Sequence, residues 1–183
     1  MQSKKVFNFP SSIFSGNLFR NIFTKNNDSL LFILVAETFV DKKILKLITS
    51  ARIGHLTTAS SNLQPYVTPV VFIVRQNNII VPLDDKPKTI TVKELKRVKN
   101  IEENPKVSFL VDHYEEDWTN LWFVMIIGCA TLVEMSGRTE KLRKELRNLR
   151  TKFLNKYSQY TKLSIGSIYI KIKIDKTIYW KYN

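Results

Sequence analysis

The chain has 183 residues, 44% of them hydrophobic and 25% charged, the composition of one globular domain with a core of ordinary size. Its five glycines stand at positions 16, 54, 128, 137 and 166, so GxGxxG, GxxxxGK(S/T) and GxSxG are all absent, and Rossmann, P-loop and nucleophile-elbow proteins lose their usual signatures. Twenty-nine Lys and Arg against 16 Asp and Glu give a net charge of +13, which asks for an anionic partner: nucleic acid, a membrane surface or a phosphorylated small molecule.

Residues 1–36 differ from the rest. No acidic residue precedes Asp28, while Phe7, Phe9, Ile13, Phe14, Leu18, Phe19, Ile22 and Phe23 recur at loosely helical intervals among Lys4, Lys5, Arg20 and Lys25. Such a stretch is either a targeting or membrane-surface segment or an N-terminal arm packed on the domain or a partner subunit. The apolar run 30–36 is far shorter than the ~20 residues that span a bilayer, so no transmembrane helix is expected. From Asp41, a helix cap, apolar positions Ile44, Leu45, Leu47, Ile48 and Ala51 define a helix with Gly54 as its stop. Strands follow at 55–59 and 66–75, with a turn at 60–64 between them, and a short turn at 76–78 leads into a strand at 79–83. A polar loop at 84–88 precedes a helix over 89–104, ended by Pro105. Strands at 107–112 and 121–133 come next, then an amphipathic helix at 136–157 with the stripe Leu142, Leu146, Leu149, Phe153 and Tyr157. The last strand carries Ile168, Ile170, Ile172, Ile174, Ile178, Trp180 and Tyr182, all even-numbered, the period of a sheet wet on one face. Six strands and three helices joined by short connections predict an antiparallel, mainly β (α+β) fold, a small closed or half-closed barrel with flanking helices.

Four features can carry chemistry. The segment Asp84-Asp85-Lys86-Pro87-Lys88 enters a helix whose spacing puts Lys93, Lys96, Arg97 and Asn100 on one side, opposite Ile90, Leu95, Val98 and Ile101. That is either a phosphate-holding element or a solvated basic face. Pro69 interrupts Tyr66-Val67-Thr68-Pro69-Val70, which marks an edge or bulge whose freed backbone groups can serve a flat ligand or water. Tyr114, Trp118 and Trp122 beside a strand end can wall a planar ring or fill a core or dimer contact. The helix 136–157 has eight basic residues, yet its polar face has no aromatic residues for base stacking, and no nucleic-acid partner is expected. Cys129, the single cysteine, makes no intrachain disulfide, so a reducing, cytoplasmic setting is expected. With His55 and His113 it is too small a set for a His/Cys zinc site, and no metal is expected.

These segments, in order, resemble a known family: Ala51-Arg52-Ile53-Gly54-His55-Leu56-Thr57-Thr58, Pro65-Tyr66-Val67-Thr68-Pro69-Val70, Asp85-Lys86-Pro87-Lys88, Leu95-Lys96-Arg97-Val98-Lys99-Asn100-Ile101, Asn104-Pro105-Lys106-Val107-Ser108 and Val111-Asp112-His113-Tyr114. Over 37–183 the chain is similar to the split β-barrel proteins of the pyridoxamine 5′-phosphate oxidase-like superfamily. The DxKPK loop, the VDHYxxDW element and the LW pair resemble its F420-dependent flavin/deazaflavin oxidoreductase branch. The resemblance implies a six-stranded antiparallel split barrel and a homodimer with two cofactors, coenzyme F420 or alternatively FMN, bound in clefts between subunits. It implies that Lys88, Arg97 and Lys99, with Lys86 and Asn100 nearby, hold the cofactor phosphate. Thr68, Pro69 and Val70 line the ring edge, and Trp118 and Trp122 form the aromatic side, reaching the other subunit's cofactor. The chain departs from the pattern at Phe123 and Met125, where relatives carry tryptophan and arginine. The expected function is hydride transfer between the bound ring and a small organic substrate. Its rivals are a non-catalytic carrier or sensor on the same fold, and a basic protein that binds nucleic acid or a membrane surface.

Overall fold

The computed structural model describes residues 19–26, 29–37, 41–83, 91–135, 139–162 and 165–182. In chain order its strands are β1 (Phe19–Asn26), β2 (Ser29–Glu37), β3 (Gly54–Ala59), β4 (Pro65–Val70), β5 (Ile73–Arg75), β6 (Asn78–Pro82), β7 (Lys106–His113), β8 (Trp122–Glu134) and β9 (Ile168–Lys181). The helices are α1 (Lys42–Ser50), α2 (Lys96–Glu103) and α3 (Glu140–Lys156). All the strand pairs are antiparallel, in the order β1-β2-β9-β8-β7-β3-β4, with β6 following β2 along the same side of β9 and β5 beside β6. From β4 round to β5 this is a barrel split between two consecutive strands that do not pair, as expected of a mainly antiparallel α+β fold. The six expected strands are present, the second broken in two, and a hairpin of two more precedes them. No helix among the described residues is long and apolar enough to cross a membrane.

The hairpin corrects the helical reading of the N-terminal segment. Phe19 to Asn26 pairs with Ser29 to Ala36 in uninterrupted register, and β2 continues along β9 from Leu34↔Tyr179 to Glu37↔Lys176. Residues 1–18 lie outside the described residues. The first helix is capped as its sequence predicts, Lys43 N donating to Asp41 Oδ1 at 2.6 Å. Its stop is Ala51, in an extended conformation, and not Gly54. Gly54 opens β3, where a side chain would collide with the ring of Phe109.

The main core fills the barrel, from Leu56, Phe72, Phe109, Val124, Ile126, Ile170 and Ile172, with Ile44 and Ile48 of α1 packed into it. A second core lies outside, where Leu149 and Phe153 of α3, with Tyr157 at its C-cap, cover Ile73, Ile80 and Tyr169. Leu149, Phe153 and Tyr157 of the sequence stripe are buried and Leu146 is half-buried.

Tyr157 also explains the split. The strand expected over 66–75 stops at Val70 and restarts at Ile73, leaving the backbone of Phe72 without a ladder. Phe72 N donates to Tyr157 Oη at 3.0 Å, and the phenol hydrogen faces the carbonyl oxygens of Phe72 at 2.8 Å and Arg52 at 3.0 Å. Burial pushes the pKa of this phenol up, against smaller opposing effects of the Phe72 backbone and Arg52. Tyr157→Phe strands a buried N–H and carbonyl and is expected to cost about 1–3 kcal/mol. Urea unfolding measures this as a lower midpoint at unchanged slope. An unchanged midpoint would show that the seam is satisfied in some other way.

Candidate functional site

The edge strand β4 and the helix α2 packed against it bring together most of the describable candidates. β4 is the last strand of the sheet, so one of its edges has no strand partner, and Pro69 within it has no N–H to offer. Thr68 is half-buried, Pro69 exposed and Val70 buried. The Thr68 hydroxyl oxygen is buried and has no hydrogen-bond partner. In a folded protein such an atom calls for a ligand or a water.

The helix expected over 89–104 is shorter and broken. Residues 84–90, which include Lys86 and Lys88, lie outside the described residues. A single 3-10 turn, Val92–Glu94, is closed by Glu94 Oε2, which accepts from Thr91 N at 2.7 Å and Thr91 Oγ1 at 2.8 Å. Those two bonds hold the Glu94 carboxyl below the usual range. Leu95 then takes an extended conformation and α2 begins at Lys96, so Lys93 does not share a continuous helical face with the later cations. At the other end Ser61 N and Oγ donate to Glu103 Oε2 at 2.9 and 3.0 Å, tying α2 to the β3–β4 turn and lowering the Glu103 pKa.

On α2, Lys96 and Lys99 are exposed and Arg97 is half-buried. Asn100 is not on their side. It is 0% exposed, between buried Val98 and Ile101, and donates from Nδ2 to Thr58 Oγ1 of β3 at 3.0 Å. Its Oδ1 is a second buried oxygen without a partner. Helix spacing alone misplaced it because Arg97 and Asn100 stay three residues apart on one helix, and it is the packing of α2 against Thr58 of β3 that buries Asn100.

The aromatic candidates stand elsewhere. Trp118 is 58% exposed, on a 3-10 turn, Trp118–Asn120, whose cap Asp117 accepts from Thr119 N and Oγ1. Trp122 starts β8, packs partly against the main core and stacks on His113 with ring centroids 6.0 Å apart. β8 is separated from β4 by β7 and β3, so within one chain Trp122 does not meet Thr68.

What spans that gap is the outer face of the sheet, which sequence reasoning missed. The registers place Pro69, His55, Leu110, Met125 and Ile178 side by side across five strands. Beside this row stand Asp112, Phe123 and Trp180, the last two stacked at 5.8 Å, and on its other side Ile127 is exposed. His55 Nδ1 lies 3.7 Å from Asp112 Oδ1. The signal was the unbroken run Trp122-Phe123-Val124-Met125-Ile126-Ile127, the pattern of a strand buried on both faces. Part of the face comes from a bulge. Ile127 pairs with Lys176 and Gly128 with Ile174, so Asp175 is extra and the side-chain parity of β9 reverses. Thr177 is consequently buried, while Ile178 and Trp180 join the outer face. The even-numbered stripe is therefore one face only as far as Ile174.

Among the described residues no group of three His, Cys, Asp or Glu is placed to hold a metal ion. The site thus offers an open strand edge, two buried oxygens without partners and a basic helix, an arrangement suited to a polar ring with an anionic tail. Split barrels with helices across them define a class, and comparison with known proteins gives the family. The family model described as pyridoxamine 5′-phosphate oxidase matches residues 40–181, and the chain belongs to that family. It is similar in fold to a conserved hypothetical protein from Mycobacterium tuberculosis, with TM-score 0.59 and 17% identity, over 86% of this chain and 90% of that one. An FAD-binding protein from Mesorhizobium loti aligns with TM-score 0.55 and 16% identity, over 82% and 99%. The heme storage protein of Vibrio cholerae aligns with TM-score 0.54 and 13% identity, over 79% and 96%. No curated protein matches the sequence.

Proposed function

We propose that this protein is a homodimeric oxidoreductase that binds a tricyclic flavin-type cofactor, coenzyme F420 or FMN, and passes hydride between it and a small organic substrate. The observation that carries this reading is the pairing of the open β4 edge, with its orphaned Thr68 hydroxyl, and the basic helix α2. Family membership and the likeness to an FAD-binding protein support it. When bound, the ring supplies the hydride chemistry, and the protein supplies position and electrostatics. Thr68 offers a hydroxyl to the ring edge, Pro69 keeps the strand edge open, and Arg97 with Lys99, Lys88 and Lys86 neutralises the phosphate. Side-by-side fluorescence titrations with coenzyme F420, FMN, FAD and hemin at two salt concentrations test the reading. Saturable binding of one ring supports it, and binding of none, or of hemin alone, overturns it. Turnover with reduced cofactor and quinone, enone and nitro acceptors then separates an enzyme from a carrier.

The second copy belongs on the outer face. The Leu110, Met125 and Ile178 row is half-buried and continues through His55 into Pro69 of the cofactor strand. A two-fold pairing there puts Trp118 and Trp122 of one subunit within reach of the other's β4, which one chain alone does not do. Met125→Glu is expected to give a folded monomer with at least ten-fold weaker cofactor binding. Light scattering after size-exclusion chromatography reads the first effect and titration the second. A persistent dimer would move the interface elsewhere.

A further inference from the structure

Lys156 has an unusual environment for an ammonium. Its Nζ is buried and has no hydrogen-bond partner, lying 4.1 Å from the centroid of the Phe72 ring and 5.4 Å from that of Tyr157. The charge that acts on it is another cation: Arg52, whose guanidinium lies 4.9 Å from the same Tyr157 ring and donates a hydrogen bond to the Lys156 carbonyl oxygen. None of the ion pairs among the described residues involves either side chain. Burial first, and Arg52 second, lower the Lys156 pKa to about 8, so about a tenth of the amine is unprotonated at pH 7 and about half at pH 8. The other titratable group facing it is the Tyr157 phenol, which burial keeps neutral.

We propose that Lys156 is a carboxylation site for dissolved carbon dioxide, with Arg52 as the counter-ion of the resulting carbamate. The free amine lone pair attacks the carbon of CO2, one C–O π bond opens onto oxygen, and the nitrogen releases one proton to solvent. No electrons are transferred and no further reactant is needed. Three observations favour this electrophile. Aromatic walls around a buried Nζ admit a small linear apolar molecule more readily than a bulky acyl donor. The product replaces two neighbouring like charges with a carboxylate beside a guanidinium, whose five N–H donors match its oxygens. Arg52 belongs to the link between α1 and β3 and Lys156 to the end of α3, so the new ion pair fastens both to the barrel seam at Phe72. The inference is independent of the cofactor reading.

The test equilibrates the full chain with carbon-13 bicarbonate at pH 8, alkylates carbamates with triethyloxonium and maps the adducts by peptide mass. Labelling at Lys156 at least ten-fold above the exposed lysines of α3 is the expected result. Arg52→Gln is expected to reduce it several-fold, and bicarbonate is expected to raise the melting temperature of the natural protein and not of Lys156→Arg. Labels spread evenly over surface lysines, or confined to the N-terminal amine, would overturn the proposal, as would a carbamate NMR signal that survives in Lys156→Arg. Mapping on the natural sequence decides the matter even where a variant does not fold.

Discussion

Gly128→Ala is expected to destabilise the protein by about 3 kcal/mol or more, enough to remove most folded material from a domain of ordinary stability. An added Cβ at this position would lie 2.0 Å from the Lys173 carbonyl oxygen. That atom belongs to the backbone of β9, held between β8 and β6 and next to the bulge at Asp175, so it has no way to yield without opening the ladder. Gly54→Ala offers a useful contrast. There the Cβ would meet Phe109 Cζ at 2.2 Å, a side-chain atom, though one pinned edge-on against Phe72 at 4.9 Å. Phe109→Leu in the Gly54→Ala background should recover part of the loss, and no single side-chain change should do so for Gly128→Ala. Denaturant midpoints of these three variants and the natural protein measure the difference. A well-folded Gly128→Ala protein would mean that the β8–β9 register can shift.

Truncating Arg97 and Lys88 together to alanine is expected to weaken cofactor binding by roughly 2–5 kcal/mol, about 30-fold to several thousand-fold, with the fold intact. Each cation loses a charge-assisted bond to the phosphate, and the remaining contacts of the ring with β4 cannot make up both. Fluorescence titration of the folded double variant reads the affinity, and circular dichroism checks the fold. Raised salt should weaken the natural protein's binding more than the variant's, because the removed interactions are the screened ones. Unchanged affinity would place the phosphate away from α2.

Much of this was legible in the chain because local periodicity is a local property. The alternation from Ile168 to Ile174 and the 3.6-residue stripe Leu146, Leu149, Phe153 and Tyr157 name their buried faces directly. Asp41 as a cap and a short hairpin turn at 76–78 follow from side-chain chemistry; the structure narrows the turn to Gln76 and Asn77, at φ 47° and 58°, with Asn78 already paired to Arg75. Other features depend on distant partners. The reversal after Asp175 exists only because Gly128 pairs with Ile174, and the break at Phe72 because Tyr157, 85 residues later, takes its backbone groups. The break in α2 was different in kind. Thr91 and Glu94 stand at the spacing that closes a helical turn, and that local signal was present but unread.

The site was legible to a different degree. Thr68, Pro69 and Val70 sit on an edge strand, as the proline demanded, and Arg97 and Lys99 lie on the helix packed beside it. The buried position of Asn100 and the separation of Trp122 from β4 depend on how elements pack, which no periodicity states.

β9 serves two neighbours in succession along one side. Its first half, Tyr169 to Lys173, pairs with β6, and after the bulge Lys176 to Tyr179 pairs with β2. During synthesis β2 is made early and its partner segment about 140 residues later, some ten seconds or more at ordinary elongation rates. The apolar run Leu30-Leu31-Phe32-Ile33-Leu34-Val35 therefore leaves the ribosome long before the strand that it docks on. Throughout that interval the hairpin is a nascent sticky end. Chaperone dependence of expression should accordingly fall in a permuted chain that carries residues 19–37 after β9, where they emerge once the strand they pair with has been made.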